Sequence, residues 1–449
     1  MTQVFAFRGI TYNKDIVKDY SKILTQPYDK IDDEMQDIYY RKHKYNHVRI
    51  TKGKSFKGDS ETNNKYTRAA GYLNEWLKKG ILKQDNKSTI YAYYQEYEAE
   101  GEKKVRKGFI ALGKLVELGK GGVHPHERTL LGPKIDRLNM MRQVGGSTGQ
   151  VFMLYSDPKL IVNKITDSFA KRKPDIVSKD EYNVVHKAWK IQNPVAIKSI
   201  AKVLSAKDVF IADGHHRYET ALNYRNEMAA KKVKSYEPES YNNRMMTFVN
   251  MDDVKGLTVL PTHRLIFGLK NFSFINFQKK LIKYFKIKEY PYFTPNDEKI
   301  VRQDFIHSLK HMGMRKHCIG LVAKGAKRYT LLVLRDEKIM QQVVKEKHSD
   351  DWKKLDVTVL HSLILETLLG ISRESVAKEE NVHYIRGEDA AIDEVRASKY
   401  QMVFLLNPTK VEEVRKIAGR SERMPQKSTD FFPKLLSGVV ISKVNYGKN

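Results

Sequence analysis

Apolar and polar residues recur along this chain with two different periods. Tyr66, Ala69, Ala70, Leu73, Trp76 and Leu77 fall at helical spacing and Gly80 follows as a C-cap, which predicts a helix over 66–79. Residues 89–97 and 106–112 are rich in aromatic and β-branched side chains, with Gly101 between them, and predict a hairpin. Further strands are expected at 150–155, 209–212, 245–250 and 257–260, and a helix at 217–230. Residues 51–65 are polar and read as a loop. Beyond Gly268 the texture shifts to helices rich in Lys, Phe and Ile and to strands such as 330–334, which places a domain boundary at 268/269. A strong apolar stripe predicts a helix over 356–369, ended by Gly370. After a strand at 400–406, Thr409 and Glu412 form a capping box for a last helix ending near Gly419. The fold class is therefore α+β, with a mixed sheet in residues 1–268 and a second α/β domain in 269–449.

Composition narrows the setting. The chain has 449 residues, 41% of them hydrophobic, which is ample for packed cores. No run approaches the roughly 18 apolar residues of a spanning helix, and the single Cys318 excludes an internal disulfide, so the expected location is the cytoplasm. The 81 basic against 53 acidic residues give a net charge of +28, a field that attracts polyanions and nucleotides. The cations are spread along the chain, which a solvated surface also explains.

The densest chemistry lies at Asp213-Gly214-His215-His216-Arg217, between the strand at 209–212 and the helix after it. Gly214 lets the backbone turn tightly, and the first helical turn leaves amide N–H groups unpaired at the positive end of the dipole, where an anion fits. Arg217 offers a planar fork for phosphate oxygens and His216 a further donor. Asp213 is a candidate base and His215 a candidate phosphoryl carrier. The bland alternative is a turn with surface histidines.

A second cluster, His124-Pro-His-Glu-Arg128, offers Glu127 as a general base and Arg128 as an electrostatic clamp, or is a solvent loop with a Glu–Arg pair. Two histidines and a glutamate could hold zinc, but the spacing matches no standard metal motif and no metal site is expected. His263 and Arg264 follow a strand, and Arg423 and Lys427 lie in a polar loop. All four are candidates to bind phosphate or substrate, or to be ordinary polar loops.

The segment Gly214 to Tyr218 resembles the phosphate turn of sulfiredoxin, of ParB-type CTP switches and of archaeal ADP-dependent free-serine kinases. The resemblance implies a ParB/sulfiredoxin-like core at about 105–265 in which Gly214, His216 and Arg217 hold a nucleotide's terminal phosphates. His215 stands where sulfiredoxin has its reactive cysteine, which argues against sulfinic acid reduction. Four passages, Arg8 to Tyr12 with Pro27 to Asp29, His124 to Leu130, Ile211 to Leu222, and Asn407 to Val414 with Glu422 to Thr429, are similar to the family known as domain of unknown function 1015, which carries no settled activity. The expected function is a phosphotransferase using ADP or ATP, with CTP as an alternative and Mg²⁺ bridging the phosphates, on a small hydroxyl-bearing metabolite such as serine. The rival expectations are a nucleotide-gated nucleic-acid-binding protein and a hydrolase using the same turn.

Overall fold

The computed structural model describes residues 2–127 and 131–447. The chain divides into two compact units. Unit 1 holds residues 1–125, 129–258 and 431–449; unit 2 holds 126–128 and 259–430. Both are mixed α and β, in agreement with the α+β class. No helix of the described residues is long and apolar enough to cross a membrane.

Unit 1 is built on a nine-stranded mixed sheet. In chain order its strands are β1 (Val4–Phe5), β2 (Ile90–Ala99), β3 (Glu102–Lys114), β4 (Val123–His124), β5 (Val151–Tyr155), β6 (Ile176–Lys179), β7 (Val185–Ile191), β8 (Val209–Asp213) and β9 (Asn243–Asn250). They are ordered β4-β8-β5-β9-β3-β2-β7-β6, with β1 also on β3. The pairs β8·β4 and β9·β5 are parallel, and the rest are antiparallel. The hairpin expected around Gly101 joins β2 to β3, and Gly101 takes the left-handed conformation (φ +76°) that this turn needs. β5 and β9 are buried along their whole lengths, so these central strands read as apolar runs without alternation.

Five helices of unit 1 matter here: α1 (Lys65–Lys78), α2 (Leu131–Val144), α3 (Ile161–Ala170), α4 (Pro194–Ser205) and α5 (His215–Ala230). α1 packs on α2, and α2 on α5. Asn64 caps α1 in a box closed by Thr67, which fixes its start one residue before the apolar stripe begins. Residues 431–447 return to unit 1, although a linear reading of the chain puts them with residues 269–430. Backbone pairs Ile10–Ile441, Thr25–Ser437 and Ser442–Ser147 tie them there, and Arg106, 1% exposed, donates to the carbonyls of Phe432 and Pro433.

Unit 2 carries a six-stranded sheet of β10 (His263–Ile266), β11 (Phe285–Pro291), β12 (Cys318–Ala323), β13 (Arg328–Leu334), β14 (Val382–Ile385) and β15 (Met402–Leu405), ordered β11-β13-β12-β15-β10-β14. Every pair is antiparallel. The expected stripe at 356–369 is helical and buried, but its Val359–Leu368 part is wound as a π-helix. The last helix, α6 (Val411–Gly419), corrects the capping box by one residue: Glu413, not Glu412, accepts from the backbone of Lys410, while the Thr409 hydroxyl donates to Ser428 O.

Candidate functional site

β8 delivers Asp213 to the edge of the turn. Its first four residues are buried, and the register slips between Ile211 and Asp213 against β5, a bulge that re-aims the strand end. Gly214 follows at φ +90°, ψ 32°, and α5 begins at the next residue. A Cβ at position 214 would lie 2.8 Å from Arg217 Nε and 2.9 Å from its Cζ, so both backbone and space select glycine. Gly214 makes no side-chain cap hydrogen bond to α5, whose N-terminus is the positive end of the helix dipole.

Arg217 is 5% exposed. It donates Nη2 to Asp213 Oδ2 and Nη1 to the Gln150 carbonyl. Lys434 Nζ lies 2.9 Å from the other Asp213 oxygen, and the Lys434 side chain is 8% exposed. Burial alone pushes the Asp213 carboxyl up. The adjacent Lys434 and Arg217, with Lys30 further off, outweigh it and hold the group well below the usual carboxylate range. Two sequence expectations change as a result. Arg217 is a guanidinium already engaged on one edge, not an open fork. Asp213, pinned as an anion by two cations, is a weak proton acceptor whose evident work is to hold those cations in place.

His215 is buried at 4% exposure, which removes the open access that a phosphoryl carrier requires. His216 is half-buried. Burial lowers its pKa against the pull of Asp29 and Glu219, leaving a neutral ring at physiological pH that can donate one hydrogen bond.

The other candidates belong to unit 2. Arg423 Nη1 donates to the Glu127 carbonyl at 3.0 Å. Arg264, 1% exposed, donates to the carbonyls of Thr262, Gln426 and Lys427 and stacks 5.2 Å over Tyr384. It therefore fastens the loop around Lys427 instead of presenting its fork to a ligand. His263 is fully buried, pushed down to about 4 by desolvation, and accepts from Leu406 N at 3.2 Å through Nδ1, as a packed core histidine does. The proposed phosphate-binding roles of Arg264 and His263 are corrected accordingly. Arg128 lies outside the described residues. Among the described residues no group of three or more His, Cys, Asp or Glu could hold a metal ion.

Sequence reasoning passed over Arg137 on α2 and Arg244 on β9. Both line, with Arg217, a cavity in unit 1 that also touches Tyr28, Thr148 and Thr220. One signal was available: Arg244 is the only cation in Asn243–Asn250, a segment otherwise apolar enough to be a buried strand.

The family described as protein of unknown function (DUF1015) matches residues 4–358 of this chain, which includes the turn and all three arginines. No curated protein matches. Similar solved structures include a free serine kinase in complex with AMP, at 12% identity and TM-score 0.32, covering 71% of this chain and 89% of that one. Others are a conserved hypothetical protein from Pyrococcus furiosus (11%, 0.30, 73% and 92%) and SbnI with a C-terminal truncation from Staphylococcus aureus (9%, 0.32, 70% and 82%).

Proposed function

We propose that this chain, which belongs to the DUF1015 family, is a nucleotide-dependent phosphotransferase acting on a small hydroxyl-bearing metabolite, of which free serine is the first candidate. One observation carries the reading: Lys30, Arg217 and Lys434 all act on the single carboxylate of Asp213 beside an uncapped helix N-terminus whose glycine adopts φ +90°. Such a place is built for a polyanion, because amide N–H groups and the dipole add to the cations. Gly214 lets the phosphates approach the backbone, and His216 donates to them. In the transfer, the acceptor oxygen attacks the terminal phosphorus as the bond to the leaving nucleotide breaks, and the hydroxyl proton passes to a base. Asp213 is too acidic for that task. Magnesium would ride on the nucleotide's own phosphate oxygens, since both oxygens of Asp213 are engaged.

Isothermal titration with ADP, ATP and CTP, on the wild type and on His216→Ala, tests the seat. Binding of at least one nucleotide is expected, weakened about tenfold or more by the substitution. Equal affinities for the two proteins refute the seat. Product formed from serine and nucleotide by the wild type, and less of it by His216→Ala, supports the transfer reading. Nucleic-acid retention that collapses with salt, without turnover of any hydroxyl metabolite, would replace it by the binding reading that the +28 charge permits.

A further inference from the structure

Unit 1 buries a cation that has no counter-ion among the described residues. Arg244 is 5% exposed, yet none of the described residues forms an ion pair with it. Among the described residues its Nη2 reaches the Gly149 carbonyl at a long 3.3 Å, its Nη1 only the Met141 sulfur at 3.6 Å, and its Nε finds no acceptor. Two further guanidiniums share the same cavity. Arg137 stacks 4.1 Å over Tyr28 and donates to Asp136 and, at 2.7 Å, to Thr51 O. Arg217 is held by Asp213 and Gln150. The hydroxyl of Thr220, three residues after Arg217 on the same face of α5, is buried and also unpartnered among the described residues. Burial, together with repulsion from Arg217 and Arg137, pushes Arg244 down to about 9, which still leaves it charged at neutral pH.

A buried, underbonded guanidinium facing two others is unfavourable in the free protein, and an oxyanion supplies all that is missing: negative charge and several acceptor oxygens. The cavity offers about 20 Å³ to the centres of water-sized groups. That is space for one or two waters, hence for a compact anionic head but not for a nucleotide. We propose that the Arg137–Arg217–Arg244 cavity seats the carboxylate or phosphoryl group of the acceptor substrate, with Arg244 and Thr220 as its principal donors. That the anion belongs to the acceptor rests on the phosphotransferase reading; the anion seat stands without it.

The experiment titrates inorganic phosphate and, separately, acetate into the ligand-free full chain, reading melting temperature and heat. Wild type, Arg244→Met, Arg244→Lys and Thr220→Val are compared. At least one anion is expected to bind the wild type and raise its melting temperature; the better of the two identifies the head group. Arg244→Met should weaken that anion about tenfold or more, Arg244→Lys and Thr220→Val less, while nucleotide affinity changes by less than about threefold. Without anion, Arg244→Met should melt no lower than the wild type, because an apolar side chain replaces an unpaired charge. Unchanged anion affinity in Arg244→Met, or no anion binding at millimolar concentration, overturns the proposal; should Arg244→Met fail to fold, unchanged anion affinity in both Thr220→Val and Arg244→Lys overturns it instead. Loss of nucleotide binding by His216→Ala is independent of these results, so the two readings fail separately.

Discussion

Replacing Asp213 with asparagine keeps the shape of the side chain and removes its charge, leaving Arg217 and Lys434, 5% and 8% exposed, without their shared counter-ion. Removing one partner of a buried pair costs about 3–5 kcal/mol, since the survivor is left desolvated and uncompensated. A loss of that size is expected at neutral pH, close to the lower end because the amide oxygen can still accept one hydrogen bond. Unit 1 contains Trp76 and Trp189 and unit 2 contains Trp352, so urea unfolding in a Trp352→Phe background reads unit 1 by fluorescence. The pH dependence has a definite sign. Asp213 has a folded pKa below its unfolded one, so its contribution is complete above the unfolded value of about 3.9 and declines as pH falls below it. The difference between wild type and Asp213→Asn should therefore be constant from pH 7 to about pH 5 and shrink toward pH 3. A difference below about 1 kcal/mol at pH 7, or one that does not shrink in acid, would refute the account of Asp213 as the anchor of two buried cations.

Three further outcomes follow from the packing. Gly214→Ala must hold a left-handed backbone and displace the Arg217 guanidinium, and should lose at least about 1–2 kcal/mol in the same urea assay. His47 is fully buried, donates Nε2 to Thr148 O at 2.9 Å and is pushed down to about 4 by desolvation. Its folded pKa is depressed, so unit 1 should lose on the order of 3 kcal/mol as pH falls from about 6.5 to 4, and His47→Gln should show a shallower acid slope over that window. Cys318 is buried and its thiol pushed up to about 12 by desolvation, so a chromogenic disulfide reagent should leave the native protein unlabelled and report one thiol per chain in urea; rapid native labelling would contradict the burial.

The elements that the pattern predicted best are those with a sharp period and a punctuating glycine, such as α1 with Gly80 and the β2–β3 hairpin with Gly101. Asp213 to Arg217 was legible as a strand-to-helix turn because glycine and adjacent polar groups have no other common use there. Its internal pairing was not legible. Arg217 and Asp213 are four residues apart across the turn and could be foreseen as neighbours, but Lys434 arrives from 221 positions away. Arg264 shows the same difficulty in reverse: a cation at a strand end looks like a ligand donor until the loop at 426–427 closes over it. Arg244 was hidden by its setting, because a strand buried along its whole length draws attention to its apolar members. Thr409 and Glu412 matched a capping box in spacing, yet the acid that folds back on the helix start is Glu413, which accepts from Lys410 N, since helix ends are set by backbone geometry that short patterns resolve only to within a residue or two.

The return of residues 431–447 to the first unit imposes an order on synthesis. A ribosome must translate all of unit 2 before the strand partner of Ser147, the carbonyls that receive Arg106 and the ammonium that neutralises Asp213 exist at all. Until then the Asp213 carboxylate of a nascent unit 1 has Arg217 but not Lys434 beside it. The turn at 213–217 thus reaches its final electrostatics only when the later-made segment docks, which couples its maturation to translation of the unit in between.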